Sequence, residues 1–361
     1  MIIYLDDLIF SLQTVGGISV YWLEFLNKIN TTNLDAILLK RGDNKCLLAK
    51  NLNWNKKTKW EFVLPIQLTR VLPLLNILPA KSIYHSSYFR ISLQANVCNI
   101  VTLHDLAGEL GMIKGWRKKL KVMLQSVALQ KADGIICVSE TTRSSLLLHY
   151  PSIKANKTTV IYHGCSDKFF PIPHEKPNLN KQIVFIGGRK DYKNFNTCLE
   201  VMVALPDFSL LIIGGGKLSI EETVKINSKI ANRYTYTSNV DTDVLNQIYN
   251  QAYCLLYPTY YEGFGMPVVE AMKAGCVVIS CATKAIVEVA ADAAILIKHP
   301  NDIKGFVDAI LSLKNLETRK KLVNKGLEQA KKYNWDTHCS HTIDFYKNMY
   351  EQKFSPATLT H

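Results

Sequence analysis

YCLLYPTYYEGFGMPVVEAM, residues 253–272, carries a strand, a turn and the start of a helix in one short run. The apolar YCLLYPT reads as a buried strand, YYEGFGMP as a turn and VVEAMKAG as a helix. Pro267 suits the first helical position, where its missing N–H is no loss. Val268, Val269, Ala271, Met272 and Ala274 make an apolar helix face. Glu262 therefore falls on the loop and Glu270 in the first helical turn. The N–H groups of that turn and the helix dipole favour an anion, and Gly263 and Gly265 let a phosphate approach the backbone.

The same unit recurs along the chain. MIIYL, LDAILL, SIYHSS, NIVTLHD and GIICVS are strand candidates in the first half. QIVFIGG, FSLLIIGGG, YTYTS, YCLLYP, CVVIS and AAILI follow in the second. Amphipathic stretches lie between them, among them Val20 to Ile29, Arg117 to Lys131 and Thr242 to Ala252. Continuous apolar strands alternating with helices mean parallel sheets covered on both faces. The expected fold class is therefore α/β, with two Rossmann-like, doubly wound domains in tandem. A chain of 361 residues exceeds one ordinary core and agrees with two. The expected boundaries are 1–165 for the first domain, 166–181 for a proline-bearing linker, 182–334 for the second domain, and 335–361 for a last helix and a loose tail.

Composition narrows the class. Hydrophobic residues are 48% of the chain, which excludes disorder as its main state. No apolar run reaches the roughly 18–20 residues that span a bilayer. The opening MIIYLDDLIF reads as a first strand rather than a secretory leader. Nine cysteines without a Cys-x-x-Cys pair read as buried free thiols of a reducing, cytoplasmic setting, and no Cys/His spacing suits zinc. The net charge is +13; residues 1–165 hold 20 Lys+Arg and 10 Asp+Glu, hence +10, and the remainder 23 and 20, hence +3. A basic first half suits an anionic partner: phosphates or a membrane surface. No RNA-binding motif is present, so nucleic acid is not expected.

Other glycine turns share the geometry of the opening stretch. TVGGISVYW sets Gly16 and Gly17 before a helix. VTLHD ends a buried strand with His104 and Asp105. FIGGRKDYKN places Arg189 and Lys193 beside glycines, and LIIGGGK follows another strand. Ligands of open parallel sheets bind beyond the carboxyl ends of strands, where all these loops fall. None fits a dinucleotide or Walker pattern. Arg189 and Lys193 suit a diphosphate leaving group. Glu262 and Glu270 would be repelled by phosphates and suit sugar hydroxyls on either side of them.

E-G-F-G-x-P-x-x-E-A-M-x-x-G, running here from Glu262 to Gly275, resembles the E-x7-E motif of retaining glycosyltransferases of family 4, which have the GT-B architecture. GGISVYW, TLHDL, ADGIICVSETTRSSL, FIGGRKDYKNF and IVEVAADAAILI resemble further segments of that family, in order, over nearly the whole chain. The resemblance implies that Glu270 binds the ribose hydroxyls and that Glu262 contacts the donor sugar near its reacting carbon. Backbone amides at Phe264, Gly265 and Met266 would hold sugar and phosphate. Arg189 and Lys193 would stabilise the leaving diphosphate. Gly16 and Gly17 would let a loop approach phosphate or acceptor, His104 would meet the donor sugar, Asp105 would orient its loop, and Val240 would lie near the base. Domain closure over the donor and a last helix crossing back to the first domain are implied as well. Two departures stand out: Val277 occupies a position where the family often has proline, and Arg189 and Lys193 are spaced differently from members in which Arg and Lys are adjacent.

The resemblance further implies a metal-independent enzyme with no cofactor, using a nucleotide-diphosphate sugar. GDP-mannose is the first expectation for the donor, with UDP-hexose and dTDP-rhamnose as alternatives. The acceptor would be a saccharide or a polyprenyl-linked sugar in surface polysaccharide or glycolipid synthesis. A sugar-nucleotide epimerase, a glycosyl phosphorylase and a degenerate membrane-surface binding module are the other readings. Arg117, Lys118, Lys119 and Lys121 line a helix with Leu120, Met123, Leu124 and Val127, and NWNKKTKW interleaves Trp54 and Trp60 with lysines. Both suit an ordinary surface or an anionic membrane, the inner face of the cell membrane in this setting. His85 reads as a strand-end residue, and His163 as part of a structural turn.

Overall fold

A computed structural model describes residues 1–355 except 63, 113–115, 174–180, 190 and 239, and not the side chains of 116–118 and 191. The middle of the expected linker, the C-terminal tail and the side chains of Arg117 and Lys118 thus lie outside the described residues.

The chain forms two units. The first takes Met1–Leu110, most of the chain from there to Gly164, and the chain from Trp335; the second takes Cys165–Asn334. In the first, β1 (Ile2–Asp6), β2 (Ala36–Lys40), β3 (Thr58–Trp60), β4 (Ser82–Ser86), β5 (Val97–Leu103), β6 (Gly134–Cys137) and β7 (Thr158–Val160) make a parallel sheet in the order β3-β2-β1-β4-β5-β6-β7. Register is set by side-chain alternation: Ile3 pairs with Ala36 on one side and Ile83 on the other. Helices α1 (Leu8–Leu12), α2 (Gly17–Asn30), α3 (Ile66–Thr69), α4 (Trp116–Lys131) and α5 (Glu140–His149) connect these strands.

The two sheet faces are covered differently. Ile3, Leu5, Leu38, Ile83, Ile100 and Ile136 pack against α2 and the last helix of the chain. The alternate residues Val101, Leu103, Ile135 and Cys137 pack under α4 and α5. Tyr4, Ile37, Leu39 and Tyr84, on that same second face, are met by Leu74 and Leu78 of a non-helical segment.

The second unit holds β8 (Gln182–Ile186), β9 (Ser209–Ile213), β10 (Tyr234–Thr237), β11 (Cys254–Tyr257), β12 (Val278–Cys281) and β13 (Ile295–Ile297), parallel in the order β10-β9-β8-β11-β12-β13. Helices α6 (Phe195–Val203), α7 (Ile220–Ile230), α8 (Thr242–Gln251), α9 (Met266–Lys273), α10 (Lys284–Ala290), α11 (Ile303–Ser312) and α12 (Leu316–Ala330) complete it. The core under α6, α7 and α11 centres on Ile183, Phe185, Leu210, Ile212, Leu256 and Phe306.

Helix α13 (Trp335–Phe354) belongs to the first unit, as the crossing-back helix requires. It buries Trp335, Cys339, Phe345, Tyr346 and Met349 in the same core as α2. Each large side chain of this kind contributes roughly 1.5–3 kcal/mol by burial. Two doubly wound parallel sheets are therefore present as expected. The sequence pattern did not show β3 and β7. Both have three residues and lie at sheet edges, and all three of β3 are exposed, so neither carries an apolar run. All nine cysteines are buried, and none is paired in a disulfide.

Candidate functional site

The opening stretch folds as strand, loop and helix in the expected order, but α9 starts one residue before Pro267, so Glu270 follows the first turn instead of lying in it. β11 runs into a loop carrying Glu262, and α9 starts at Met266 with Pro267 in its first turn. Gly265 caps the helix with φ 98°, and a Cβ there would stand 2.5 Å from Ile286 Cδ1, so only glycine fits. As the N-cap of this helix, Gly265 has no side chain with which to cap it. Phe264 is buried with its ring edge-on to Tyr333 at 5.5 Å.

Lys193 meets Glu262. Its Nζ donates to Glu262 Oε1 at 2.7 Å and to the Tyr257 hydroxyl at 2.6 Å. The pair is largely buried, with side-chain exposures of 18% and 10%, so each charge depends on the other. Local structure explains the meeting. Gly187 takes φ 125°, a turn that favours glycine, and the Lys193 stem lies against it at the end of β8, 3.6 Å from where a Cβ would stand. The Tyr192 carbonyl accepts from Tyr260 N at 2.8 Å and from Thr259 Oγ1 at 3.1 Å, which clasps the Lys193 loop to the Glu262 loop.

Glu270 lies one turn into α9. Tyr249, from α8, donates to its Oε2 at 3.3 Å. Burial lifts the Glu270 carboxyl from 4.5 to about 7, and the Tyr249 bond opposes that only in part. Tyr249 and Tyr257 were not foreseen. Burial first, and then the neighbouring glutamate, push each phenol well above its usual range, so both stay protonated donors. Their only trace in the sequence is a tyrosine at the end of an apolar strand and one on the inner face of a helix.

Arg189 does not join Lys193. Its Nη1 donates to Gly214 O at 2.6 Å, its Nη2 to Gly215, Gly216 and Lys217 carbonyls at 3.0–3.2 Å, and its Nε to Glu222 Oε1 at 3.1 Å. Gly214, Gly215 and Gly216 have φ of 81°, 75° and 74°, which turns a row of carbonyls toward one cation. Arg189 is that cation, and it would have to leave these bonds to reach a phosphate. The two basic residues expected to act together are thus engaged by different loops. A recess of about 560 Å³ beside Arg189, between the starts of α6, α7 and α11, is lined by Asn194, Thr197, Glu222, Tyr260 and Asn301, without Lys193, Glu262 or Glu270. Val240 is half-buried next to Asp241, whose carboxylate caps α8 by accepting from Val244 N at 3.0 Å.

In the first unit, Gly16 is the N-cap of α2; its N–H donates to Ser19 Oγ at 2.9 Å, and Gly17 opens the helix. A Cβ on Gly17 would meet nothing within 4 Å, so that face is open. His104 follows β5. Its ring stacks on His163 at 5.3 Å and stands edge-on to Tyr21 at 4.8 Å. Burial holds His104 down at about 4, so it is neutral near pH 7. Asp105 Oδ1 accepts from Ala107 N at 2.9 Å and shapes the loop after His104. His85 lies inside β4, bonded to the Tyr346 hydroxyl and to Thr102 Oγ1, and is a core residue. His163, read as a structural turn, packs in this ring cluster with His104 and His338.

Residues 167–330 match the family described as "Glycosyl transferases group 1", and residues 15–169 match "Glycosyltransferase Family 4". The chain is 28% identical over 288 residues to the O-antigen chain mannosyltransferase B of Escherichia coli, covering 73% of this chain and 74% of that one. It is 25% identical over 240 residues to the O-antigen chain mannosyltransferase RfbU of Salmonella typhimurium, covering 65% of each. Among solved structures, the sucrose-phosphate synthase of Thermosynechococcus elongatus superposes with a TM-score of 0.75 at 18% identity, over 98% of this chain and 100% of that one. At that identity the likeness shows the fold.

Proposed function

The chain belongs to the glycosyltransferases of family 4, with the GT-B architecture, and on that premise we propose that it transfers mannose from GDP-mannose, with retention, to a saccharide on a lipid carrier. The buried Lys193–Glu262 pair beside the start of α9 carries this reading. The mannosyl choice is supported by the two O-antigen chain mannosyltransferases to which the chain is similar. Surface-polysaccharide synthesis at the membrane is the matching setting.

The proposed chemistry follows from charge. Lys193 turns from Glu262 to the β-phosphate and stabilises the charge that grows as the glycosidic C–O bond breaks. Amides at Gly265 and Met266 and the α9 dipole add to this, so no resident metal is required. Glu262, released from Lys193, accepts hydrogen bonds from mannose hydroxyls. Glu270 accepts from the ribose hydroxyls. The leaving phosphate oxygen takes the proton of the attacking hydroxyl on the same face of the sugar, which yields retention. The acceptor is taken by the first unit, at the strand ends around Gly17 and His104.

The test is transfer from radiolabelled GDP-mannose in EDTA to a lipid-extracted acceptor, with the new anomeric configuration read by NMR. An α-linked mannoside from the α-configured donor supports the reading. A β-linkage, or transfer only from UDP- or dTDP-sugars, overturns the mechanism or the donor respectively.

A further inference from the structure

His85, His104, His163 and His338 all pack against Tyr21 or Trp22 of α2, but they are not held alike. Hydrogen bonds fix His85 at both ring nitrogens, to Tyr346 and Thr102. They fix His338 at both as well, to the Tyr162 carbonyl and the Tyr21 hydroxyl. His104 is half-buried just after β5, and among the described residues no hydrogen bond reaches its ring. Packing therefore sets its plane.

Two rings supply that packing. Tyr21 stands edge-on to His104 at 4.8 Å and 77°, and His163 lies flat against it at 5.3 Å and 8°. Both separations fall where aromatic rings attract, one edge-to-face and one offset-stacked. An edge contact leaves a ring free to tilt about the line of contact, whereas a parallel contact sets its plane. Burial keeps both imidazoles uncharged near pH 7, His104 at about 4 and His163 well below the usual 6.5, so the two rings do not repel.

His163 is itself fixed. Its ring is nearly parallel to that of His338 at 6.4 Å and edge-on to Tyr21 at 4.7 Å. Before it in the chain, the Tyr162 carbonyl accepts from His338 Nδ1 at 2.8 Å. After it, Gly164 packs so closely on Trp335 that a Cβ would stand 2.5 Å from the indole ring, and a larger residue would displace α13 at its start. Gly164 is the last residue before the chain leaves this unit, and Trp335 is the first on its return. The His163 ring thus joins the loop after β5 to the packed point where the chain leaves and re-enters the unit.

We propose that His163 is a positioning residue for His104: its ring sets the plane in which His104 meets the donor sugar, and without a flat ring there His104 tilts out of that plane. The role of His104 rests on the proposed function, so the stack is measured both with and without turnover.

The experiment compares His163→Leu, which fills the space without a flat ring, with His163→Phe, which restores one, in the full chain. Melting midpoints establish that both fold. Histidine ring resonances are recorded by NMR without donor or acceptor, with His104 assigned through His104→Gln. His163→Leu should move the His104 resonances downfield as the ring current is lost, and His163→Phe should shift them upfield again. With GDP-mannose and acceptor, kcat of His163→Leu should fall about 10- to 100-fold, as for a group misplaced by about an ångström, and His163→Phe should recover most of it. The melting shift with GDP should stay as in wild type, since GDP lacks the sugar. His338→Gln, one ring further from His104, should lower the midpoint and keep turnover. His104 resonances unmoved by His163→Leu overturn the proposal. So does equal turnover in the Leu and Phe variants, or an equal loss in His338→Gln, which would make the cluster structural only. If the wild-type chain transfers nothing from GDP-mannose, the donor reading falls and the NMR comparison alone decides whether His163 sets the His104 ring.

Discussion

Lys193 and Glu262 are 69 positions apart in the chain and 2.7 Å apart in the fold, both largely buried. Removing either alone strands a charge. Lys193→Met should therefore lower both stability and turnover. Adding Glu262→Gln should recover part of the stability, with a coupling of about 1–3 kcal/mol by denaturant unfolding, while turnover stays down at least about 100-fold. Full recovery of activity in the double variant would make the pair structural only. Glu270 gives a second residue-scale prediction. Its carboxyl is raised in the folded protein from 4.5 to about 7, so its contribution is fully present below pH 4.5 and is lost as pH rises through 7. Glu270→Gln should thus gain stability relative to wild type between pH 5 and 8 in melting experiments without ligand. The same variant should bind GDP about 10- to 100-fold more weakly, because hydrogen bonds to the charged carboxylate are lost. The glutamates were legible because a glycine turn before an apolar helix leaves few other uses for them. Tyr257 and Tyr249 were not, since a tyrosine in an apolar run looks like core until its hydroxyl has an address.

Three consecutive left-handed glycines make the turn after β9 dependent on a side chain from the turn after β8. Arg189→Ala should raise amide exchange through Gly214–Lys217 and lower the melting midpoint. Unchanged exchange there would show that the loop holds itself. The sequence marked Arg189 as basic and next to glycine, but four of its acceptors are backbone carbonyls, which leave no side-chain signature, and its carboxylate partner Glu222 lies 33 positions away. β3 and β7 were illegible for a related reason: three residues at a sheet edge are held by backbone pairing rather than by apolar alternation. Helix α13 was expected as a last helix after residue 335, and its chemistry lies in the histidines it carries and meets. His338 Nδ1 bonds Tyr162 O at 2.8 Å and its Nε2 lies 3.2 Å from the Tyr21 hydroxyl. Burial lowers His338 and His104 from 6.5 to about 4 and His85 to about 3. A depressed histidine gives stability that is present above pH 6.5 and lost as pH falls through the folded value. Acid should therefore weaken the first unit between pH 6.5 and 4, and His338→Gln should flatten that loss in pH-dependent melting. An acid limb identical in the variant would place the titration elsewhere.

At the scale of the molecule, the repeated strand–turn–helix grammar made both sheets readable, because parallel strands buried on two faces must be apolar throughout. What grammar could not supply was the uneven cover of the first sheet, where three prolines replace a helix by a segment with an exposed apolar side. The +10 and +3 halves describe the same asymmetry in charge. The second unit carries the three carboxylate and lysine groups proposed to grip the donor. Their joint action is tested most directly by melting the wild-type chain and Glu270→Ala in EDTA with GDP, UDP, dTDP, ADP and CMP. A ligand at 100 times its Kd that binds only the folded state adds about 2.7 kcal/mol, which is a readily measured shift. GDP should raise the wild-type midpoint more than the other nucleotides and should do so far less in Glu270→Ala. A midpoint unmoved by every nucleotide, or moved equally in the variant, would contradict a nucleotide-sugar site built on Glu270.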